Sequence, residues 1–323
     1  MNKILLTGST GFIGSELLRQ LKLKKYLIHT STRSTYKEKV NVVKNFIINQ
    51  IDNDTNWSEA LEGVGCVIHC AGEVTETYKS DKSVLSYYRK INVAGTHNLA
   101  YQAAAKGVKR FIFISSIKVN GERTEGFSSF KNTDIPKPEG IYAISKWEAE
   151  QSLHYISKQT GLEIVIIRPP VIYGQQVKGN FYRLINFIDR GFPLPFGKVN
   201  NLRSYVALDN LVDLVICCIN HPRAAGQTFL VADEEDLSTP DLIKKISFTL
   251  QKKTFLLNVP TSFMKFAGKM IGKSKEISRL LSSLRLDFSY TQKVLGWKPS
   301  ISIDKALPKT INWYLNKSMT KKI

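Results

Sequence analysis

Short apolar segments alternate with amphipathic helical patterns over the first half of the 323-residue chain, and this alternation constrains the fold most strongly. The apolar segments leave no face polar enough to contact water, so helices must cover both faces of the sheet that they form. A sheet built from such strand–helix repeats is parallel. Six strands are expected, in residues 3–8, 26–32, 46–51, 66–72, 110–116 and 162–170.

The pattern changes after Arg168, where Gly/Pro-rich segments begin that can build a pocket above the carboxyl ends of the strands. Two later helices are expected, one capped by Asp209 and one with Thr239 as its N-cap and Pro240 at its first helical position. The predicted fold class is α/β, with a Rossmann-type doubly wound parallel sheet in residues 1–170. Residues 171–323 are expected to form a smaller α/β region that is interleaved with this sheet.

The segment TGSTGFIG lies directly between the first strand and the first helix. In that position Gly8 permits a tight turn, Gly11 lets the backbone approach a pyrophosphate, and Gly14 allows the helix to pack closely on the strand. The N-terminus of the following helix offers unpaired N–H groups and the positive end of its dipole. This arrangement predicts a dinucleotide site.

The second strand ends in HTSTRST, which contains Arg33 and no acidic residue. An acid at this position binds the ribose hydroxyls of NAD, whereas a guanidinium pairs well with the additional phosphate of NADP. The sequence therefore favours NADP over NAD.

Tyr142 and Lys146 are four residues apart on a predicted helix, so their side chains share one face. We expect the ammonium of Lys146 to lower the pKa of the Tyr142 phenol, which would let it exchange a proton with an alcohol oxygen during hydride transfer. Ser115 and Ser116 end the preceding strand, where a hydroxyl can hydrogen-bond the reacting oxygen.

The formal net charge is +19, with the lysines spread over the whole chain and mildly concentrated in KFAGKMIGKSKE (265–276). We interpret this charge as a solvated surface and expect no nucleic-acid partner. No apolar run approaches the ~20 residues that span a bilayer, so integral membrane association is not expected. The four cysteines lack CxxC spacing, which indicates free thiols in a cytoplasmic protein without a metal site.

Taken together, the motifs resemble the extended short-chain dehydrogenases/reductases, particularly their nucleotide-sugar epimerase/dehydratase group. The resemblance runs from Lys3 to about Pro299. It is carried by TGSTGFIG (7–14), HCAGEV (69–74), INVAGTHNL (91–99), SSIKVNG (115–121), YAISK (142–146), RPPVIYG (168–174), RSYVALDNLVD (203–213) and LGWKP (295–299).

This resemblance implies roles for individual residues. Tyr142 is implied as the acid/base, Lys146 as its activator and a ligand of the nicotinamide ribose, and Ser116, rather than Ser115, as the partner of the substrate oxygen. Asn180 and Arg203 are implied to bind the uridine diphosphate, and Asn92 to support the site from the interior. The implied dinucleotide contacts are Gly8, Gly11, Phe12, Ile13, Gly14, Arg33, Gln50, Ile51, Ala71, Gly72, Tyr142, Lys146 and Pro169.

The sequence departs from the family pattern in three places. Gln50 and Ile51 stand where the family usually has an adenine-contacting Asp, and Asp52 is displaced from that position. Arg285, in SSLRLD, matches the second phosphate-binding Arg only loosely. Ile117-Lys118 follows Ser116 where dehydratases of the group have Asp-Glu, which excludes dehydration by that route.

The resemblance leaves two reactions open at C4 of a UDP-sugar. We expect reduction of a 4-keto, 6-deoxy UDP-N-acetylhexosamine in bacterial surface-polysaccharide synthesis, with 4-epimerisation of a UDP-hexose or UDP-N-acetylhexosamine as the alternative. Reduction of a ketone without a nucleotide, and a non-catalytic binding protein of the same fold, are the remaining alternatives. The family pattern also implies a homodimer.

Overall fold

The computed structural model describes residues 3–33, 43–74 and 82–320. Its strands are β1 (Lys3–Thr7), β2 (Leu27–Thr32), β3 (Val43–Ile47), β4 (Cys66–His69), β5 (Arg110–Ile114), β6 (Glu163–Arg168), β7 (Val171–Tyr173), β8 (Tyr205–Ala207) and β9 (Thr228–Leu230). Its α-helices are α1 (Phe12–Leu23), α2 (Lys82–Tyr88), α3 (Gly95–Ala105), α4 (Ile141–Thr160), α5 (Gly179–Asp189), α6 (Leu208–Asn220), α7 (Thr239–Leu250), α8 (Thr261–Met270), α9 (Ser274–Leu281), α10 (Ser289–Leu295) and α11 (Ile303–Thr320).

Seven of the described strands form one sheet in the order β3-β2-β1-β4-β5-β6-β9, and every pair in it is parallel. This topology confirms the predicted α/β fold with a Rossmann-type sheet. The seventh strand, β9, was not among the six expected, because three residues are too few to show a strand period. The small parallel pair β7-β8 forms a second sheet.

Both faces of the seven-stranded sheet are buried, as the apolar strands required. Along β1, the side chains of Ile4 and Leu6 join a core that α1 and α6 cover, whereas Leu5 joins a core that α3 and α4 cover on the other face. The alternation follows from the two-residue period of a strand. A third core lies among α5, α7 and α11.

Two predicted helix caps are wrong, Thr239 by one position and Asp209 by two. Helix α7 begins after Ser238, whose hydroxyl accepts a hydrogen bond from the Asp241 N–H, so Ser238 and not Thr239 is the N-cap, and Pro240 is the second helical residue. Helix α6 begins after Ala207, and Asp209 lies in its first turn, paired with Lys309. A carboxylate there still interacts favourably with the helix dipole.

Long helices of the fold are too polar for a bilayer. Across residues 3–33, 43–74 and 82–320, no helix combines the length and the apolar composition that crossing a membrane requires.

Candidate active site

The glycine-rich turn between β1 and α1 is tightly built. Gly8 has φ +68°, and a methyl group on it would lie 2.8 Å from the Ala71 nitrogen. A methyl group on Gly14 would lie 2.1 Å from the Gly8 oxygen, so α1 approaches the turn as closely as only glycine allows. Gly11 is exposed, and Phe12 and Ile13 follow it as the first helical residues.

The N-terminus of α1 is open to an anion. Its N-cap, Gly11, has no side chain that could bond the first N–H groups, and the first turn contains no acidic residue. The first N–H groups of a helix have no partner inside it and carry the positive end of the dipole. The turn thus has the shape and polarity that a pyrophosphate requires.

The end of β4 closes the turn from the neighbouring strand, and a buried amide fixes its course. Asn92 accepts a hydrogen bond from the Glu73 N–H at 2.8 Å and donates to the Glu73 carbonyl at 3.0 Å. It also donates to the Ser145 hydroxyl on α4 at 3.0 Å. Asn92 lies in a π-helical turn, Arg89–Ala94, a form that is frequent at functional sites. A methyl group on Gly72 would lie 2.9 Å from the Asn92 Oδ1.

The structure brings the three predicted catalytic side chains to the same edge of the sheet. Ser116 follows β5, and its hydroxyl lies near the phenol of Tyr142 in the first turn of α4, where it favours the ionised phenol. One turn further along α4, the Lys146 ammonium donates to the Ile114 carbonyl at 2.7 Å and lies 4.2 Å from the centre of the Phe113 ring. A methyl group on Gly72 would lie 3.7 Å from the Lys146 Nζ, so the lysine faces the predicted dinucleotide floor.

The pKa values of this group correct one expectation. Burial raises the pKa of Tyr142 to about 12, and the neighbouring Ser116 hydroxyl opposes this rise without cancelling it. The prediction that the Tyr142 pKa is lowered by Lys146 is therefore wrong for the protein without bound nucleotide, because desolvation of the phenol dominates. Burial also lowers the pKa of Lys146 to about 8, although the nearby Glu150 carboxylate favours its charged form.

Ser115 has a different task from Ser116. Its hydroxyl donates to Glu150, which forms a buried ion pair with Arg168. Arg168 also donates to the Asn120 side-chain oxygen at 2.9 Å. Both charged side chains are at most 5% exposed. The sequence analysis missed this network, which ties α4 to β5 and β6 beneath Lys146; charged residues within apolar segments were the available signal.

The remaining predicted dinucleotide contacts surround this edge. Arg33 is exposed just beyond β2, two residues after Ser31, which pairs with Thr7 next to the glycine turn. Gln50 is exposed and Ile51 contacts α3 at Gly95. The displaced Asp52 is used elsewhere, since it pairs with Lys90 at 3.3 Å.

Pro169 also lies at this edge, where its carbonyl accepts a hydrogen bond from the Ile117 N–H after β5. The open helix N-terminus, the glycines that leave room beside it and the facing lysine fit a nicotinamide dinucleotide. The adenine end of such a ligand would meet Arg33, Gln50 and Ile51, and its nicotinamide end would lie towards Lys146.

A group of basic side chains, formed by Lys118, Arg203 and Arg279, lies near Ser116. Arg203 precedes β8 and donates to the carbonyls of Arg279 and Ser282 at 2.8 and 2.9 Å. Arg279 in turn donates to Glu122 at 2.8 Å. Burial and the two arginines lower the pKa of Lys118 to about 8, although Glu122 opposes this shift.

This group contains more than the sequence analysis assigned. Arg203 was predicted as a diphosphate ligand. Lys118 was noted only because it stands where dehydratases have a carboxylate, and Arg279 was not predicted to have a role. Their positions depend on the fold of residues 274–286, and the sequence of this segment has no strong helix or strand pattern. Three cations around the single carboxylate of Glu122 can attract an anionic substrate.

The other two predicted substrate residues are placed differently. Asn180 is exposed in the first turn of α5, and among the described residues no hydrogen bond joins it to Ser116, Tyr142 or Arg203. Arg285 is paired with Asp236 at 2.7 Å and donates to the Phe127 carbonyl at 3.0 Å. Asn180 as a substrate ligand stays a prediction.

The parallel sheet, the glycine turn and the Ser116, Tyr142 and Lys146 side chains define a dinucleotide-dependent enzyme of the extended short-chain dehydrogenase/reductase class. Comparison with protein families agrees, because the model of the NAD dependent epimerase/dehydratase family matches residues 4–232. The chain belongs to this family, as the sequence motifs predicted.

Individual relatives cover nearly the whole chain. It is 42% identical over 314 residues to a UDP-glucose 4-epimerase of Vibrio cholerae, covering 97% of this chain and 95% of the relative. It is 27% identical to an N-acetyl-alpha-D-glucosaminyl-diphospho-ditrans,octacis-undecaprenol 4-epimerase of Escherichia coli O157:H7, over 86% of this chain and 83% of the relative. Among solved structures, the UDP-glucuronic acid 4-epimerase of Bacillus cereus in complex with NAD has the same fold, with a TM-score of 0.79, 20% identity and coverage of 98% and 99%.

Proposed function

We propose that this enzyme is a 4-epimerase of a UDP-sugar. The observation that carries the proposal is the convergence of Ser116, Tyr142 and Lys146 on the edge of the sheet that holds the glycine turn. The 42% identity to the Vibrio cholerae UDP-glucose 4-epimerase supports epimerisation over our expectation of a 4-keto-sugar reductase. Both reactions need the same three side chains, so the geometry does not separate them.

The roles of the side chains follow from their positions. The Ser116 hydroxyl and the Tyr142 phenol lie near each other, so a sugar oxygen placed between them would receive a bond from the serine and exchange its proton with the phenol. Lys146, held by the Ile114 carbonyl, would orient the nicotinamide ribose and supply positive charge beside the phenol. A nicotinamide dinucleotide bound on the glycine turn supplies hydride acceptance and return at C4.

Arg203 would bind the diphosphate. One of its terminal nitrogens is fixed by two backbone carbonyls, which orients the planar guanidinium and leaves its other donors available for phosphate oxygens. Lys118 and Arg279 add positive charge on the same side of Ser116. This arrangement supports a diphosphate-bearing substrate over a neutral ketone.

An epimerase returns the hydride to its own substrate and needs no exchangeable reductant, so the reaction itself does not favour NADP. The preference for NADP therefore rests on Arg33 alone. We propose NADP from the exposed Arg33 guanidinium at the end of β2. Mass spectrometry of the nucleotide released from the purified enzyme tests the choice; release of NAD alone would contradict it.

Product analysis tests the reaction. The enzyme is incubated separately with UDP-glucose, UDP-galactose and the two corresponding UDP-N-acetylhexosamines, without added nicotinamide, and the sugars are separated. An epimerase reaches the same product ratio from either C4 isomer. Consumption of NADPH with a 4-keto, 6-deoxy UDP-sugar, without interconversion of C4 isomers, would instead restore the reductase interpretation.

A second candidate substrate has the sugar diphosphate attached to a polyprenol instead of uridine. The Escherichia coli relative supports it, and Arg203 would bind a diphosphate in either case. Supplying the polyprenyl-diphosphate sugar and the UDP-sugar in parallel reactions distinguishes them, because only the true substrate is epimerised at a rate that saturates.

The Tyr142→Phe variant tests the site itself. Loss of the acid/base should lower kcat about 10²–10⁴-fold while nucleotide binding is retained. Tyr155→Phe, an exposed tyrosine on the same helix, is the matched control. Full activity of Tyr142→Phe would refute the assigned role.

A further inference from the structure

Helix α8 presents an apolar stripe to solvent. Phe263, Phe266 and Met270 are 61%, 61% and 73% exposed, and Ile271, directly after the helix, is 65% exposed. Positions i, i+3 and i+7 lie on one face of a helix. The buried residues of α8, Met264 and Gly268, lie on another face, so the exposed stripe is not the one that packs on the protein.

Solvent exposure of this stripe carries a cost that a partner can remove. Full burial of one phenylalanine or methionine side chain contributes about 1.5–3 kcal/mol, and contiguous exposed apolar patches typically mark interaction sites. The chain leading into α8 continues this character, since Phe255 and Leu257 are 63% and 48% exposed.

Positive charge surrounds the stripe. Residues 251–275 contain six lysines and no acidic residue. On α8 itself, Lys265 and Lys269 are exposed; Lys269 flanks the stripe, whereas Lys265 lies further round the helix, towards Gly268. An amphipathic helix with aromatic residues on one face and lysines next to them is typical of segments that lie in the headgroup region of a bilayer.

We propose that α8 and the turn after it dock this enzyme on an anionic membrane surface. The apolar stripe would enter the headgroup boundary, and the lysines would lie against lipid phosphates. Such docking is peripheral.

Charge decides between this occupant and a second copy of the chain. Pairing two such stripes would bring the α8 lysines of two chains together, and like charges repel. An anionic lipid surface instead neutralises them. The apolar stripe and the positive charge then act in the same direction.

The docking helix is attached to the candidate substrate site. A methyl group on Gly268 would lie 2.8 Å from Ile277, so α8 and α9 form a closely packed hairpin. Helix α9 carries Arg279, whose carbonyl accepts the Arg203 hydrogen bond and whose guanidinium pairs with Glu122. The hairpin therefore connects the membrane-facing stripe directly to the basic group beside Ser116.

Vesicle co-sedimentation of the full-length enzyme tests the proposal. Vesicles of phosphatidylethanolamine and phosphatidylglycerol are compared with vesicles of phosphatidylcholine, at low and at high salt. We expect binding to the anionic vesicles at least ten times stronger than to the neutral ones, and weakened by salt. Equal binding to both, or none to either, would overturn the proposal.

Variants locate the surface. Phe263→Ser/Phe266→Ser should lower partitioning into anionic vesicles at least tenfold, and Lys265→Gln/Lys269→Gln should weaken its salt dependence. Phe248→Ser, an 87% exposed phenylalanine on α7, is the matched control and should bind as the parent does.

Two further measurements complete the test. If the variants still turn over a soluble UDP-sugar, they are folded. If the parent enzyme itself does not turn over a UDP-sugar, the proposed function fails but the vesicle-binding result still stands. Sedimentation velocity would overturn the proposal if Phe263→Ser/Phe266→Ser converted a dimer into a monomer without changing vesicle binding.

Discussion

Replacing Lys146 by methionine should stabilise the nucleotide-free enzyme near neutral pH. The ammonium is buried, and its pKa is lowered from 10.5 to about 8. In the unfolded chain the lysine keeps its ordinary pKa, so below pH 8 folding carries the cost of a desolvated charge. At about 1.4 kcal/mol for each pH unit, that cost amounts to about 3 kcal/mol.

Methionine fills nearly the same volume without a charge, but it loses the hydrogen bond to the Ile114 carbonyl. That bond contributes about 1 kcal/mol, so the expected net gain is about 2 kcal/mol at pH 7. The sign changes with pH in a defined way. Between about pH 8 and 10.5 the unfolded parent binds a proton that the folded parent does not, so the parent gains stability as pH rises and the advantage of Lys146→Met disappears.

Urea unfolding at pH 7, 8, 9 and 10 measures this effect after bound nucleotide has been removed. Comparison at each pH cancels other groups that titrate in both proteins. Lys109→Met, at an exposed lysine, serves as the control for the change of side chain. A stability difference between Lys146→Met and the parent that stays constant from pH 7 to 10 would refute the reasoning.

Three further predictions concern the turn, the buried ion pair and the basic group. Gly14→Ala should abolish nucleotide binding in a calorimetric titration, because its methyl group would overlap the Gly8 oxygen. The control Gly107→Ala has open space around its methyl group and should bind nucleotide normally, but it should lose about 1 kcal/mol of stability because residue 107 has a positive φ. Glu150→Gln should lower the free energy of unfolding by about 3 kcal/mol, measured in urea, because it leaves the Arg168 charge buried without a counter-charge. Arg203→Met should raise KM for the nucleotide sugar about 10–100-fold with a smaller effect on kcat, and an unchanged KM would contradict its role as the diphosphate ligand.

The sequence predicted the sheet well because its strands are buried on both faces. In β5 all five residues are buried and four of them are apolar, and that leaves a continuous signal in the chain. β9 has only three residues and takes its place from pairing with β6, which no local pattern reveals. The position of a helix cap likewise depends on the course of the preceding backbone, which explains why Ser238 and Thr239 could not be told apart.

The residues of the candidate site likewise divide into those that local sequence patterns predict and those that only the fold brings together. The spacing of Tyr142 and Lys146 on one helix defines their relation, and the glycine turn is local as well. The direction of the Tyr142 pKa shift is different, because desolvation depends on everything packed around the phenol and no local spacing reveals it. Arg279 and Lys118 meet Arg203 only through the folding of segments more than seventy residues apart, so no motif could bring them together.

The pairing of β9 with β6 has a consequence for synthesis on the ribosome. Until residues 228–230 have left the exit tunnel, the six strands from the first half of the chain have an open edge at β6, with backbone groups that no partner satisfies. An exposed parallel edge recruits other chains, and translation supplies about 5–20 residues each second. The 59 residues between the two strands (169–227) therefore leave that edge open for several seconds. Slow codons or a stall between β6 and β9 would therefore cause aggregation of the nascent enzyme, whereas a stall after β9 would not.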